Sequence, residues 1–113
     1  MSLENYHFPT SRLQTGHIEP GKTPLVLVAC GSFSPITFLH LRMFSLAHDY
    51  VKSNTNFQVI GTYLSPVGDA YKKVGLAPAH HRLRMAELAL QTRTQTTDYL
   101  MVDPWEAMHS EYM

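Results

Sequence analysis

A chain of 113 residues, 44% hydrophobic and 16% charged, has room for one small domain and too much apolar content to be disordered throughout. Nine Lys and Arg balance nine Asp and Glu, so no electrostatic case exists for nucleic acid or an anionic membrane as partner. The single cysteine, Cys30, excludes an internal disulfide framework, and no apolar run is long enough to cross a bilayer.

Residues 1–23 read as a loose N-terminal tail, with Pro9, Gly16, Pro20 and Gly21 scattered among polar residues. A basic start followed by an apolar stretch is missing, so the expected location is intracellular, in cytoplasm, nucleus or both, and not secreted. Residues 25–30 form an unbroken apolar run, predicted to be a parallel strand buried on both faces with Cys30 as a small buried residue. Thr37 is the predicted N-cap of a helix reaching about Lys52, with Leu39, Met43, Leu46, Ala47 and Tyr50 as its inward stripe.

Ser53-Asn54-Thr55-Asn56 ends that helix, and residues 57–64 read as a second strand with Gly61 as its weak point. A loop with Pro66, Gly68 and Gly75 follows, carrying Tyr71, Lys72 and Lys73. Pro78 suits a first helical position, and residues 79–91 are a predicted helix with Met85, Leu88 and Ala89 inward. A Thr/Gln linker at 92–97, a short strand at 99–102 and a helical stripe of Trp105, Met108, His109 and Tyr112 complete the order β-α-β-α-β-α. That order predicts an α/β fold, a partial doubly wound, Rossmann-like parallel sheet. Three parallel strands are half of such a sheet, so residues 24–113 are expected to be the N-terminal half of a domain, truncated within its last helix.

The chemistry concentrates in the turn Gly31-Ser32-Phe33-Ser34-Pro35-Ile36-Thr37-Phe38-Leu39-His40, between first strand and first helix. Backbone N–H groups in such a turn and at the helix N-terminus offer positive potential to a phosphate. Gly31 permits close approach, Pro35 stiffens the turn, and His40 in the first helical turn would face the same anion. Neither GxGxxG nor GxxxxGK[ST] spacing is present. Taken alone, an ordinary tight turn with a surface histidine accounts for the same residues. Lys72 and Lys73 read alone as a solvated pair, and Trp105 reads equally as a core residue or an aromatic contact. His80 and His81 are adjacent and cannot share one helix face toward an ion, so no metal site is read.

Three segments together carry a resemblance. They are Ala29 to Thr37 followed by His40-Leu41-Arg42-Met43-Phe44, then Ser65-Pro66-Val67-Gly68-Asp69-Ala70-Tyr71-Lys72-Lys73, then Val102-Asp103-Pro104-Trp105-Glu106. In order and spacing they resemble the eukaryotic nicotinamide mononucleotide adenylyltransferases of the HxGH nucleotidyltransferase superfamily, over about residues 25–107. Thr37 stands at the first histidine of that signature and Leu39 at its glycine, as is usual in the eukaryotic branch. Ser34 stands where many relatives have asparagine.

The resemblance implies that nicotinamide or nicotinate mononucleotide attacks the α-phosphate of ATP, giving NAD or its deamidated form and pyrophosphate. Such a displacement needs positioning and charge stabilisation and no protein nucleophile. It implies backbone contacts from Gly31, Ser32 and Phe33 to phosphate and ribose, and His40 as the catalytic phosphate-binding group. It further implies a phosphate contact from Lys73 with Tyr71 nearby, and Trp105 stacked on the cationic pyridine ring. Mg²⁺ would come with ATP rather than on an identifiable protein site, and a homo-oligomer is a possible family state. Nothing in these residues resembles the family's later Ser/Thr-rich segment ending in arginine. A second reading therefore stands beside the first: a non-catalytic nucleotide-binding fragment that pairs with another chain and is inactive alone.

Overall fold

A computed structural model of the chain describes residues 5–71, 74–91 and 100–109. Among them, strands β1 (Thr23–Gly31), β2 (Phe57–Pro66) and β3 (Leu100–Val102) form one parallel sheet in the order β1-β2-β3. Helix α1 (Phe38–Asn54) links the first two strands, and helix α2 (Ala79–Gln91) lies between the second and third. This is the expected α/β, Rossmann-like arrangement in partial form. No helix of the described residues is long and apolar enough to cross a membrane.

The first strand is more exposed than the unbroken apolar run predicts. It lies at the edge of the sheet, its residues alternate between half-buried and exposed, and Val28 is 59% exposed. Among the described residues only one face of the strand is packed, and Cys30 is exposed. Pairing with β2 shifts register between Leu25 and Val26, which leaves Ile60 as an extra residue.

Helix α1 starts where expected, behind Thr37, but turns its other side inward. Phe44 is buried, with Leu41 packed against the same core. Leu39 is 77% exposed, and Met43, Leu46 and Tyr50 also face outward. The helix is apolar on two sides, and periodicity alone does not choose between them. In α2 the inward residues are Ala79, Arg82, Leu83, Ala86 and Leu90, while Leu88 is exposed and Met85 and Ala89 are half-buried. The reason is Arg82: a cation occupies an inward position, so a reading that sends charge outward rotates the stripe. The main core joins Phe33 of the turn, Phe44, Leu64, Ala86, Leu90 and Leu100.

Residues 5–22 carry no strand or α-helix, yet they are tied to the sheet. The Tyr63 hydroxyl donates to Pro9 O at 2.7 Å, and Arg12 Nη1 donates to Leu100 O at 3.0 Å. Gln14 N–H donates to the carbonyl of the bulged Ile60 at 2.7 Å. A Cβ at Gly61 would come within 2.5 Å of Leu13 Cδ1, so the glycine makes room for this strap. Residues 104–109 form consecutive hydrogen-bonded turns in place of the expected start of a helix, with Met108 N–H on Pro104 O at 3.0 Å.

Candidate functional site

The C-terminal ends of the three strands lie side by side, since Gly31 pairs with Pro66 and Leu64 with Val102. All three resembling segments therefore meet at one end of the sheet, where open α/β sheets take ligands. The turn between β1 and α1 is built around Phe33, whose φ of 44° lies in the left-handed region that non-glycine residues seldom adopt. Its side chain is buried, and its ring lies over Gly31: a Cβ there would sit 3.4 Å from Phe33 Cζ. Burial of that ring offsets backbone strain of about 1 kcal/mol or more.

Phe33 also meets His40 edge-on, with ring centroids 5.1 Å apart. His40 Nδ1 accepts the Thr37 N–H at 2.8 Å and lies 3.0 Å from Thr37 Oγ1. The backbone N–H can only donate, so the neutral imidazole carries its proton on Nε2. Thr37, at the first histidine position of the signature, thereby fixes the tautomer and orientation of the second. What remains to face an anion is a donor.

The loop after β2 places Tyr71 in an exposed position at the end of a short 3₁₀ turn, Asp69–Tyr71. Lys72 and Lys73 lie outside the described residues. The loop abuts the Trp105 turn, since a Cβ on Gly68 would come within 3.2 Å of Glu106 O. Trp105 is 41% exposed rather than a core residue, with its ring 4.1 Å from that of His109. Its backbone N–H donates to Asp103 Oδ1 at 3.2 Å, the same oxygen that accepts the Tyr6 hydroxyl at 2.7 Å. Burial and the Asp103 carboxylate push the Tyr6 pKa far up, and burial followed by Asp103 raises that of Tyr63. Asp103 lies in the resembling segment with no role read for it from the sequence, and nothing in the N-terminal composition pointed to Tyr6.

Arg82 had no signal in the sequence beyond helical position. It is fully buried behind the turn, donating through Nη1 to Ser32 O at 2.9 Å and to Val67 O at 2.8 Å. A cleft of about 410 Å³ lined by His17, Lys22, His48, Lys52 and Phe57 lies at the opposite ends of the strands, roughly a strand length of 26 Å from the turn. Among the described residues no three His, Cys, Asp or Glu converge to hold a metal ion.

Residues 28–112 match the family model described as cytidylyltransferase-like. The chain belongs to that family. Within it, the chain is 55% identical over 111 residues to nicotinamide/nicotinic acid mononucleotide adenylyltransferase 1 of Saccharomyces cerevisiae, covering 98% of this chain and 27% of that protein. It is 54% identical over 110 residues to the enzyme of that name from Schizosaccharomyces pombe, covering 97% of this chain and 29% of that protein. For the Arabidopsis thaliana enzyme the identity is 52% over 104 residues, or 92% of this chain and 42% of that protein. This cytidylyltransferase-like chain thus spans between 27% and 42% of the length of these relatives.

Proposed function

We propose that the chain supplies the phosphate turn and the pyridine-ring side of an adenylyltransferase that joins ATP to nicotinamide or nicotinate mononucleotide. The observation that carries this reading is the meeting of the His40 turn, the Tyr71 loop and the exposed Trp105 at one end of the sheet. The mononucleotide phosphate oxygen forms a bond to the α-phosphorus of ATP, the bond to the bridging oxygen breaks, and pyrophosphate leaves. The turn amides and His40 Nε2–H stabilise charge on the oxygens, aided by His40's fixed orientation. Gly31, Ser32 and Phe33 present backbone to phosphate and ribose, and Lys73 and Tyr71 contact the mononucleotide side. The Trp105 face receives the cationic ring. Mg²⁺ is carried in on the ATP phosphates, as substrate.

A second reading is a nucleotide-binding chain of this family that needs a partner chain for turnover. Both readings require mononucleotide at Trp105. Tryptophan emission, taken as the difference between the wild type and Trp105→Phe, tests this. Nicotinamide mononucleotide should quench the Trp105 component strongly and AMP much less. Equal quenching by both, or none by either, contradicts the stacking role.

A further inference from the structure

Arg82 is the largest side chain that is completely buried among the described residues, and it is a cation. Its guanidinium reaches three separate segments. Nη1 donates to Ser32 O in the phosphate turn and to Val67 O in the loop after β2. Nε donates to Ala77 O at 2.6 Å, just ahead of α2, and Nη2 lies 3.4 Å from Asp69 Oδ1. That carboxylate also accepts the Ala79 N–H at 2.7 Å, which caps the helix bearing Arg82.

The rest of the junction is thin. Val67 N–H donates to Gly31 O at 2.9 Å, and Ala77 N–H to Ser34 Oγ at 2.9 Å. An apolar residue at position 82 would continue the inward stripe of α2 without difficulty. It would leave three carbonyls short of a donor, that of Val67 buried and those of Ser32 and Ala77 partly buried. The planar fork of donors suits arginine and no other side chain, because lysine presents a single point charge. Packing therefore does not explain the residue; the spacing of the loops does.

We propose that Arg82 is a positioning residue that sets the separation of the phosphate turn from the Tyr71 loop. It acts through the Ser32 and Val67 carbonyls and, with no exposed surface, touches no ligand itself. The catalytic consequence rests on the adenylyltransferase reading, because a reacting phosphate displaced by about 1 Å loses on the order of a hundredfold in rate.

The test compares Arg82→Lys and Arg82→Met with wild type in the full chain, by amide hydrogen exchange and by steady-state kinetics. Exchange should rise at residues 31–34 and 67–71 in both variants while residues 62–65 of β2 keep their protection. Where wild type turns over, Arg82→Lys should lose about tenfold to a hundredfold in kcat with a smaller change in mononucleotide KM. Unchanged exchange in both loops overturns the proposal, as does a uniform rise that includes β2, which would mark a general structural role. Wild-type kcat in Arg82→Lys overturns it too. Absence of turnover in wild type would count against the adenylyltransferase reading alone, and the exchange result would still decide the role of Arg82.

Discussion

Gly61→Ala tests whether the N-terminal strap sits where its hydrogen bonds place it. The added methyl would lie 2.5 Å from Leu13 Cδ1, about 1 Å inside ordinary carbon–carbon contact, while Met101 Cε at 3.5 Å is at normal range. The conflict is therefore with one side chain, and Leu13 must leave its seat. Losing a half-buried leucine contact costs about 1–2 kcal/mol. Against this, alanine restricts the unfolded chain more than glycine and returns about 0.5 kcal/mol. The net loss expected for Gly61→Ala is about 1 kcal/mol. In a Leu13→Ala background the clash is gone, and the same substitution should be neutral or slightly stabilising. Urea unfolding of the four proteins gives the coupling, expected at about 1 kcal/mol or more. Additivity within about 0.3 kcal/mol would refute the packing of Leu13 over Gly61.

His40→Ala, in protein that turns over, should reduce kcat far more than mononucleotide affinity, and steady-state kinetics with calorimetry separates the two. Thr37→Val keeps the backbone bond to Nδ1 and should be much milder in the same assay. Tyr6 loses its proton above the ordinary tyrosine value of 10.0 in the folded chain, owing to burial and then Asp103. Its contribution to stability is therefore complete below about pH 10 and declines as pH rises toward the folded value, with Tyr63 acting in the same direction. Tyr6→Phe should flatten that alkaline decline in denaturation midpoints measured from pH 8 to 11. An equally steep decline would contradict the Tyr6–Asp103 bond.

The parts of the fold legible in sequence were those fixed by local chemistry. The glycine turn, the Thr37 cap and the sites where polar clusters end helices all depend on neighbouring residues, and α1 and α2 begin and end close to where those signals fall. Facing was less legible. Leu39 and Leu41 are chemically alike, and only the position of the sheet decides that Leu41 packs and Leu39 does not. Arg82 stayed hidden because the carbonyls it ties together, those of Ser32 and Val67, lie elsewhere along the chain, and carbonyls have no signature in sequence. The strap was illegible for the same reason: its anchors are single long-range bonds such as Tyr63 to Pro9. The candidate site was legible as three segments, and their meeting at one end of the sheet follows from the parallel topology. The exposure of Trp105 and the Nε2 tautomer of His40 required coordinates.

Formation of NAD is the most direct measurement of the central claim. Purified protein is supplied with ATP, Mg²⁺ and nicotinamide mononucleotide, and NAD is followed through alcohol dehydrogenase as NADH absorbance. The account predicts NAD formation that requires both nucleotides and falls steeply in His40→Ala. Mononucleotide binding at Trp105 without any NAD would contradict the catalytic reading and leave the partner-dependent nucleotide-binding chain in its place.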